Sequence, residues 1–241
     1  MNIDINCDMG ENIGNDADIM PYITSANIAC GFHAGDSKSM QATVRLAKKH
    51  GVRIGAHPSW LDVEGFGRNE MSLPYDEVEA LILYQIGALA AIAKAEGAEL
   101  RHVKPHGALY NQAAQNRLLA NAIARAVKRF SGELILVGLA GSGLIEAGIE
   151  SGLRVVNEGF PDRKYNSDGT LMSRKLMGAI IESPEDVAIH AVRLAQDGIF
   201  FGDQYVRVDT LCLHGDNVHA AQNAKLVRDA LEKAGMKIST F

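Results

Sequence analysis

His102-Val103-Lys104-Pro105-His106-Gly107 reads as a short strand that ends in reactive side chains. An ammonium, a rigid proline, an imidazole and a conformationally free glycine follow one another where the extended segment stops. Five other segments end in the same manner: Asn6-Cys7-Asp8-Met9-Gly10-Glu11, Cys30-Gly31-Phe32-His33-Ala34-Gly35, Gly55-Ala56-His57-Pro58, Val155-Val156-Asn157-Glu158-Gly159-Phe160 and Leu213-His214-Gly215-Asp216. One such end is noise. Six, spread along the chain and each with Gly or Pro nearby, point to one pocket built where strands finish. In a β/α barrel the active site lies at the C-terminal ends of the strands.

Working outward, strand signals alternate with helical ones. Strands are expected at 3–6, 26–30, 53–56, 102–104, 133–137, 153–157 and 210–213. The stretch 133–137 is apolar at its centre, as a strand covered on both faces should be. Helices are expected at 37–50, 75–96, 111–130, from Ser142 to near Gly152, from Ser183 to Gly198, and at 217–234, with 172–181 a further candidate. Met40, Val44 and Ala47 give the first helix its apolar stripe, and Gly51 closes it. Ser183-Pro184-Glu185-Asp186 is a helix start, with Pro at the first helical position. Parallel strands joined by right-handed crossovers make an irregular, TIM-like β/α barrel of seven strands. A doubly wound open sheet is the competing architecture. With no linker or repeat, residues 1–241 are read as one domain.

The chain has 241 residues, 47% of them apolar, and a formal charge of -5. That charge, without a Lys/Arg block, argues against nucleic acid as a partner. Lys48-Lys49-His50 reads as cations at a helix C-terminus. No uninterrupted apolar run approaches about 18 residues, so no membrane span is expected. Three cysteines make no disulfide framework, and Cys7, Cys30 and Cys212 read as small buried thiols. The start Met1-Asn2-Ile3-Asp4 has no signal pattern, so the expected location is the cytoplasm.

Each polar strand end has a bland reading beside a chemical one. Asp8 is a general base, a metal ligand or an orienting acceptor, or else a turn aspartate bonded to nearby N–H groups. His33 and His57, on adjacent strands, are placed to share a pocket, and an imidazole titrates where proton transfer near neutral pH needs it. His102, Lys104 and His106 share one strand face. An ammonium between two histidines opposes a cation and favours an anion, so no metal is expected. The alternative is a Lys paired with Glu158 or Asp8 inside the barrel. Glu158 is a candidate base and Arg163, next to Asp162, a fork for a substrate carboxylate, against surface ion pairing. His214 is read as functional and Asp216 as a helix N-cap. Gly138-Leu139-Ala140-Gly141-Ser142-Gly143 precedes a helix and reads as a plain strand-to-helix turn, with a phosphate cradle on its N–H groups as the alternative; it is not a P-loop, because no Gly-Lys-Ser/Thr follows. No G-x-S-x-G elbow is present.

Together these strand ends resemble the LamB/YcsF family. The matching stretches are 4–11, 27–36, 55–59, 103–110, 158–163 and 213–216, so the resemblance spans essentially the whole chain. It implies a barrel of the glycoside hydrolase/deacetylase type. It implies one component (the A-subunit) of an ATP-dependent 5-oxoprolinase that opens the lactam of 5-oxo-L-proline to L-glutamate, with subunits B and C as partners. ATP, with Mg2+, is the implied cofactor. On that chemistry Asp8, His57, Lys104, His106 and Glu158 are expected to be catalytic, and Asn6, Glu11, His33, Asp162, Arg163 and His214 to bind substrate. The alternative is a metal-dependent deacetylase or carbohydrate-active hydrolase on the same barrel, using Asp8, His57 and His106.

Overall fold

Why the strands close into a barrel is legible in strand β1 (Asn2–Met9), whose two faces are unlike. Ile3, Ile5, Cys7 and Met9 join the apolar core under the helices. Asp4, Asn6 and Asp8 lie on the opposite face by the period of two. The computed structural model describes residues 1–201, 204–215 and 219–241. Parallel to β1 run β2 (Ser25–Ala29), β3 (Arg53–His57), β4 (Leu100–Val103), β5 (Ile135–Leu139) and β6 (Arg154–Gly159). A short antiparallel hairpin follows, β7 (Ile199–Phe201) and β8 (Gln204–Val206). Then β9 (Thr210–Leu213) pairs with both β6 and β1 and closes a seven-stranded parallel barrel. A tenth strand, β10 (Lys237–Ile238), extends the sheet beside Asn2 and Ile3.

The helices are α1 (Asp16–Ile19), α2 (Ser37–His50), α3 (Tyr75–Ala95), α4 (Gly107–Gln115), α5 (Arg117–Phe130), α6 (Gly143–Glu150), α7 (Pro184–Asp197) and α8 (Ala220–Lys233). Two expectations need correction. The helix expected over 111–130 is two helices, because Asn116 leaves the helical conformation and its side chain caps α5 by accepting from the N–H groups of Leu118 and Leu119. The stretch 172–181 is not helical. It is held by isolated bridges, Arg163 with Ile180 and Tyr165 with Leu171. Asp216, read as an N-cap, lies outside the described residues, as does the expected start of the last helix.

Helix α3 is long and apolar enough to cross a membrane by composition, with a mean hydropathy of 1.5. Its place is structural: Val78, Ile82, Ile86, Leu89 and Ala93 are fully buried in the barrel's outer core. Its one buried polar residue, Gln85, matters for the site. The Gln85 amide accepts from the Ser59 N–H at 2.9 Å and donates to the Ser59 carbonyl at 2.9 Å, fixing the turn that leaves β3.

Barrel interiors are commonly packed with branched apolar side chains. Here Ile135, Val137 and Val156 form one small apolar cluster, against which Phe241 packs. Alongside runs a ladder of polar groups. Thr210 donates to Asp4, Asn6 donates to Thr210, and Asn27 donates to both Asn6 and Asp8, at 2.6–2.8 Å. His102 Nε2 meets Asn27 Oδ1 at 2.8 Å. Gly55 makes room for this ring, since a Cβ there would stand 2.0 Å from His102 Nε2. Buried polar groups persist when they satisfy one another; of this ladder, His102 Nδ1 is left without a hydrogen-bond partner.

Candidate functional site

At the C-terminal end of the barrel the polar ladder becomes an ion cluster. Lys104 follows β4, tied back to β3 by its N–H donating to the Ala56 carbonyl. Its Nζ lies 2.9 Å from Asp8, 2.8 Å from Glu158, 3.0 Å from Cys212 Sγ and 3.3 Å from Asn6. The ammonium expected to hold an anion is therefore already enclosed by two carboxylates. Burial disfavours its charge, but Asp8, Cys212 and Glu158 more than offset that and hold its pKa above the ordinary value. Burial likewise pushes Asp8 up, and the charges of His57 and Lys104 outweigh it, so Asp8 stays well below the usual carboxylate range. The second oxygen of Glu158 accepts from Tyr110 Oη at 2.7 Å.

Above this cluster three imidazoles meet. His57 Nδ1 donates to the Lys104 carbonyl at 2.7 Å, and His106 Nε2 donates to the Phe66 carbonyl at 2.9 Å. His57 Nε2 then faces Asp8 at 3.3 Å and His106 Nδ1 at 2.9 Å. His33 stacks on His106 with centroids 3.8 Å apart, and its Nε2 lies 3.1 Å from Glu11. Burial and the neighbouring imidazole of His57 lower the His33 pKa to about 3, while burial, His33 and His57 hold His106 well below its ordinary value. Both rings are neutral. The loop after β3 covers them. Phe66 has φ of 54°, a left-handed conformation costly for a bulky residue, and its carbonyl points at His106. A Cβ on Gly67 would stand 2.7 Å from the His106 ring, so only glycine fits beneath it.

On the β6 and β9 side, His214 Nδ1 pairs with Asp162 at 2.7 Å, and the His214 ring packs on Phe160. Asp8, Cys212 and His214 place potential donor atoms within 4.8 Å of one another, which joins this pair to the cluster. Arg163 donates to the Met172 carbonyl at 2.5 Å, and burial lowers its pKa to about 10. Arg163 Nε and Asp162 Oδ1 are buried without hydrogen-bond partners.

The structure thus brings Asn6, Asp8, Glu11, His33, His57, Lys104, His106, Glu158, Asp162 and His214 into one contact network, with Arg163 adjacent to Asp162. Asn6 lies beneath Lys104 and is taken up by Thr210, Asn27 and that amine. Sequence reasoning passed over Tyr110, Asn27, Thr210, and Cys212 as a partner of Lys104. Tyr110 sat within a quoted motif, four residues after His106, where a helical turn returns it to the same end of the barrel. The turn at 138–143 lines a separate cavity of about 320 Å³ with Asp168, Gly169 and Thr170.

The closed seven-stranded parallel barrel, with carboxylates, an ammonium and histidines at its strand ends, has a fold similar to that of the deacetylase barrels. A peptidoglycan deacetylase, PdaC, from Bacillus subtilis shares the fold, with a TM-score of 0.51 at 14% identity over 99% of this chain and 86% of the other. The chain belongs to the LamB/YcsF family, whose model matches residues 3–241. The A-subunit of 5-oxoprolinase from Symbiobacterium thermophilum is 51% identical over 98% of this chain and 94% of its own length. The crystal structure of a lactam utilization protein from Thermus thermophilus superposes with a TM-score of 0.91 at 47% identity, covering 100% of both chains.

Proposed function

We propose that this chain is the A-subunit of an ATP-dependent 5-oxoprolinase, acting with subunits B and C to open 5-oxo-L-proline to L-glutamate. The observation that carries this reading is likeness to such proteins over the full chain, at 51% identity to one of them, joined to the convergence of the strand ends the family resemblance rests on. Three buried free cysteines accord with a reducing compartment, the cytoplasm.

A lactam amide is a poor electrophile. Transfer of the γ-phosphoryl group of ATP, accompanied by Mg2+, to the lactam oxygen gives a phosphorylated imidate. Water adds to its carbon, a base takes the proton, and an acid protonates the ring nitrogen as the C–N bond breaks. The resulting acyl phosphate is hydrolysed to glutamate and phosphate. Asp8 and Glu158 are the candidate bases, His57 and His106 the candidate acids. Lys104 pairs with both carboxylates and, with His57, keeps Asp8 in its charged form. The unpartnered Arg163 Nε suits the substrate carboxylate. General acid–base help of this kind is worth about 10²–10⁴-fold.

The test is glutamate release from 5-oxoproline and ATP by this chain mixed with subunits B and C. Release should require every component. Undiminished release when this chain is omitted, or none from the full mixture, removes the assignment. The reading as a deacetylase or carbohydrate-active hydrolase has only the barrel likeness behind it, which extends to the fold alone.

A further inference from the structure

We propose that Glu11, His57 and His106 form a binding site for one divalent cation of the zinc type. The argument comes from where the imidazole protons sit. A backbone carbonyl can only accept, so the Lys104 and Phe66 carbonyls fix the protons of His57 on Nδ1 and of His106 on Nε2. With those protons placed, His106 Nδ1 presents a lone pair to His57 Nε2 at 2.9 Å, and the Asp8 carboxylate faces the same His57 nitrogen at 3.3 Å. The facing nitrogens need a cation between or beside them, either a metal ion or a second proton on His57. Glu11 Oε1 lies 3.6 Å from His106 Nδ1 and supplies a negative third donor.

The spacing fits a metal. Four donors at zinc's usual bond length of about 2.0–2.1 Å in a tetrahedron stand about 3.3 Å apart. The measured separations of 2.9 and 3.6 Å straddle that, and the donor atoms of Glu11, His33, His57 and His106 all fall within 4.8 Å of one another. Both proposed histidine ligands also have an outer partner of the sort that orients metal ligands: the Lys104 carbonyl for His57 and the Phe66 carbonyl for His106. His33 is not itself a ligand. Its ring is parallel to that of His106 within 6°, so a cation in the plane of one ring lies off the plane of the other.

Lys104 does not oppose the cation, because its ammonium is turned to Asp8 and Glu158. Two imidazoles and one carboxylate favour Zn2+ or Co2+ over Mg2+ or Ca2+. Three protein donors leave a position for a water or a substrate oxygen. With the cation held, His57 and His106 serve as ligands rather than proton donors, and Asp8 remains as the base. The site stands on hydrogen bonding within this chain and not on the lactam reading.

The test uses the chain alone, without substrate or partners, so its failure leaves the glutamate assay untouched. The protein is stripped with a chelator and titrated with Zn2+ and with Co2+, followed by calorimetry, elemental analysis and the visible spectrum of Co2+. One equivalent per chain should bind. Glu11→Gln and His106→Gln should abolish stoichiometric uptake. Circular dichroism confirms that each variant is folded. No stoichiometric uptake of either ion by the folded wild-type chain overturns the proposal, and means that a proton on His57 fills the gap. Unchanged affinity in folded Glu11→Gln and His106→Gln overturns it equally.

Discussion

Lys104 shows how much one buried charge organises. Two carboxylates and a thiol converge on it, and removing it leaves Asp8 and Glu158 buried without their cation. Lys104→Met should cost about 3–5 kcal/mol in urea unfolding, and adding Glu158→Gln to that variant should recover part of the loss. Asp4 carries the opposite sign. Burial raises its pKa to about 6, against the hydrogen bonds of Thr210, Thr24 and Ser25. Between about pH 4 and 6 the folded chain therefore holds a proton that the unfolded chain releases, so this residue's contribution falls as pH rises. At 1.36 kcal/mol per unit the fall is about 3 kcal/mol. Unfolding at pH 4 and pH 7 should show the wild type losing roughly 2 kcal/mol of that relative to Asp4→Asn, since the unfolded carboxyl is already partly ionised at pH 4. The strand-end residues that converge were legible as candidates because a His, Lys or Glu beside Gly or Pro stands out at a strand end. Asp4 and Thr210 were not, because a polar residue within a strand looks the same whether it faces solvent or the barrel interior.

Elements were legible where a single signal sets them. The apolar runs located all seven barrel strands, and Ser183-Pro184 located the start of α7. The break between α4 and α5 escaped notice because apolar residues continue across Asn116, and only its side-chain cap reveals the interruption. The hairpin β7–β8 and strand β10 are too short to carry a period. Helix α3 and the loop after β3 act on the site together. Gln85→Leu removes both hydrogen bonds to Ser59 and should lower stability by about 1–3 kcal/mol. Gly67→Ala sets a Cβ at φ of 67° against the His106 ring. It should cost about 1–3 kcal/mol and reduce turnover more than a Gly→Ala change at Gly87, where a Cβ meets nothing within 4 Å. Denaturation midpoints and glutamate release on the same preparations check both.

At the scale of the whole molecule, barrel closure does the chemical work. Asp8 and Lys104 are 96 residues apart, and Lys104 and Cys212 are 108 apart. Only the pairing of β9 back onto β1 brings all of them around one amine. An open sheet would have put β9 and β1 at a distance. Closure was readable as a strand count, but which strand ends would touch was not, since register and tilt are set by packing rather than by local pattern. The most direct measurement is glutamate formation from 5-oxoproline and ATP by the assembled enzyme carrying Asp8→Asn in this chain. Asp8 touches Lys104, His57 and Asn27, and is the base the account leaves in place. Assembly should be unchanged and kcat should fall by at least about 10²-fold. Turnover within about twofold of wild type would contradict the claim that the converging strand ends perform the reaction.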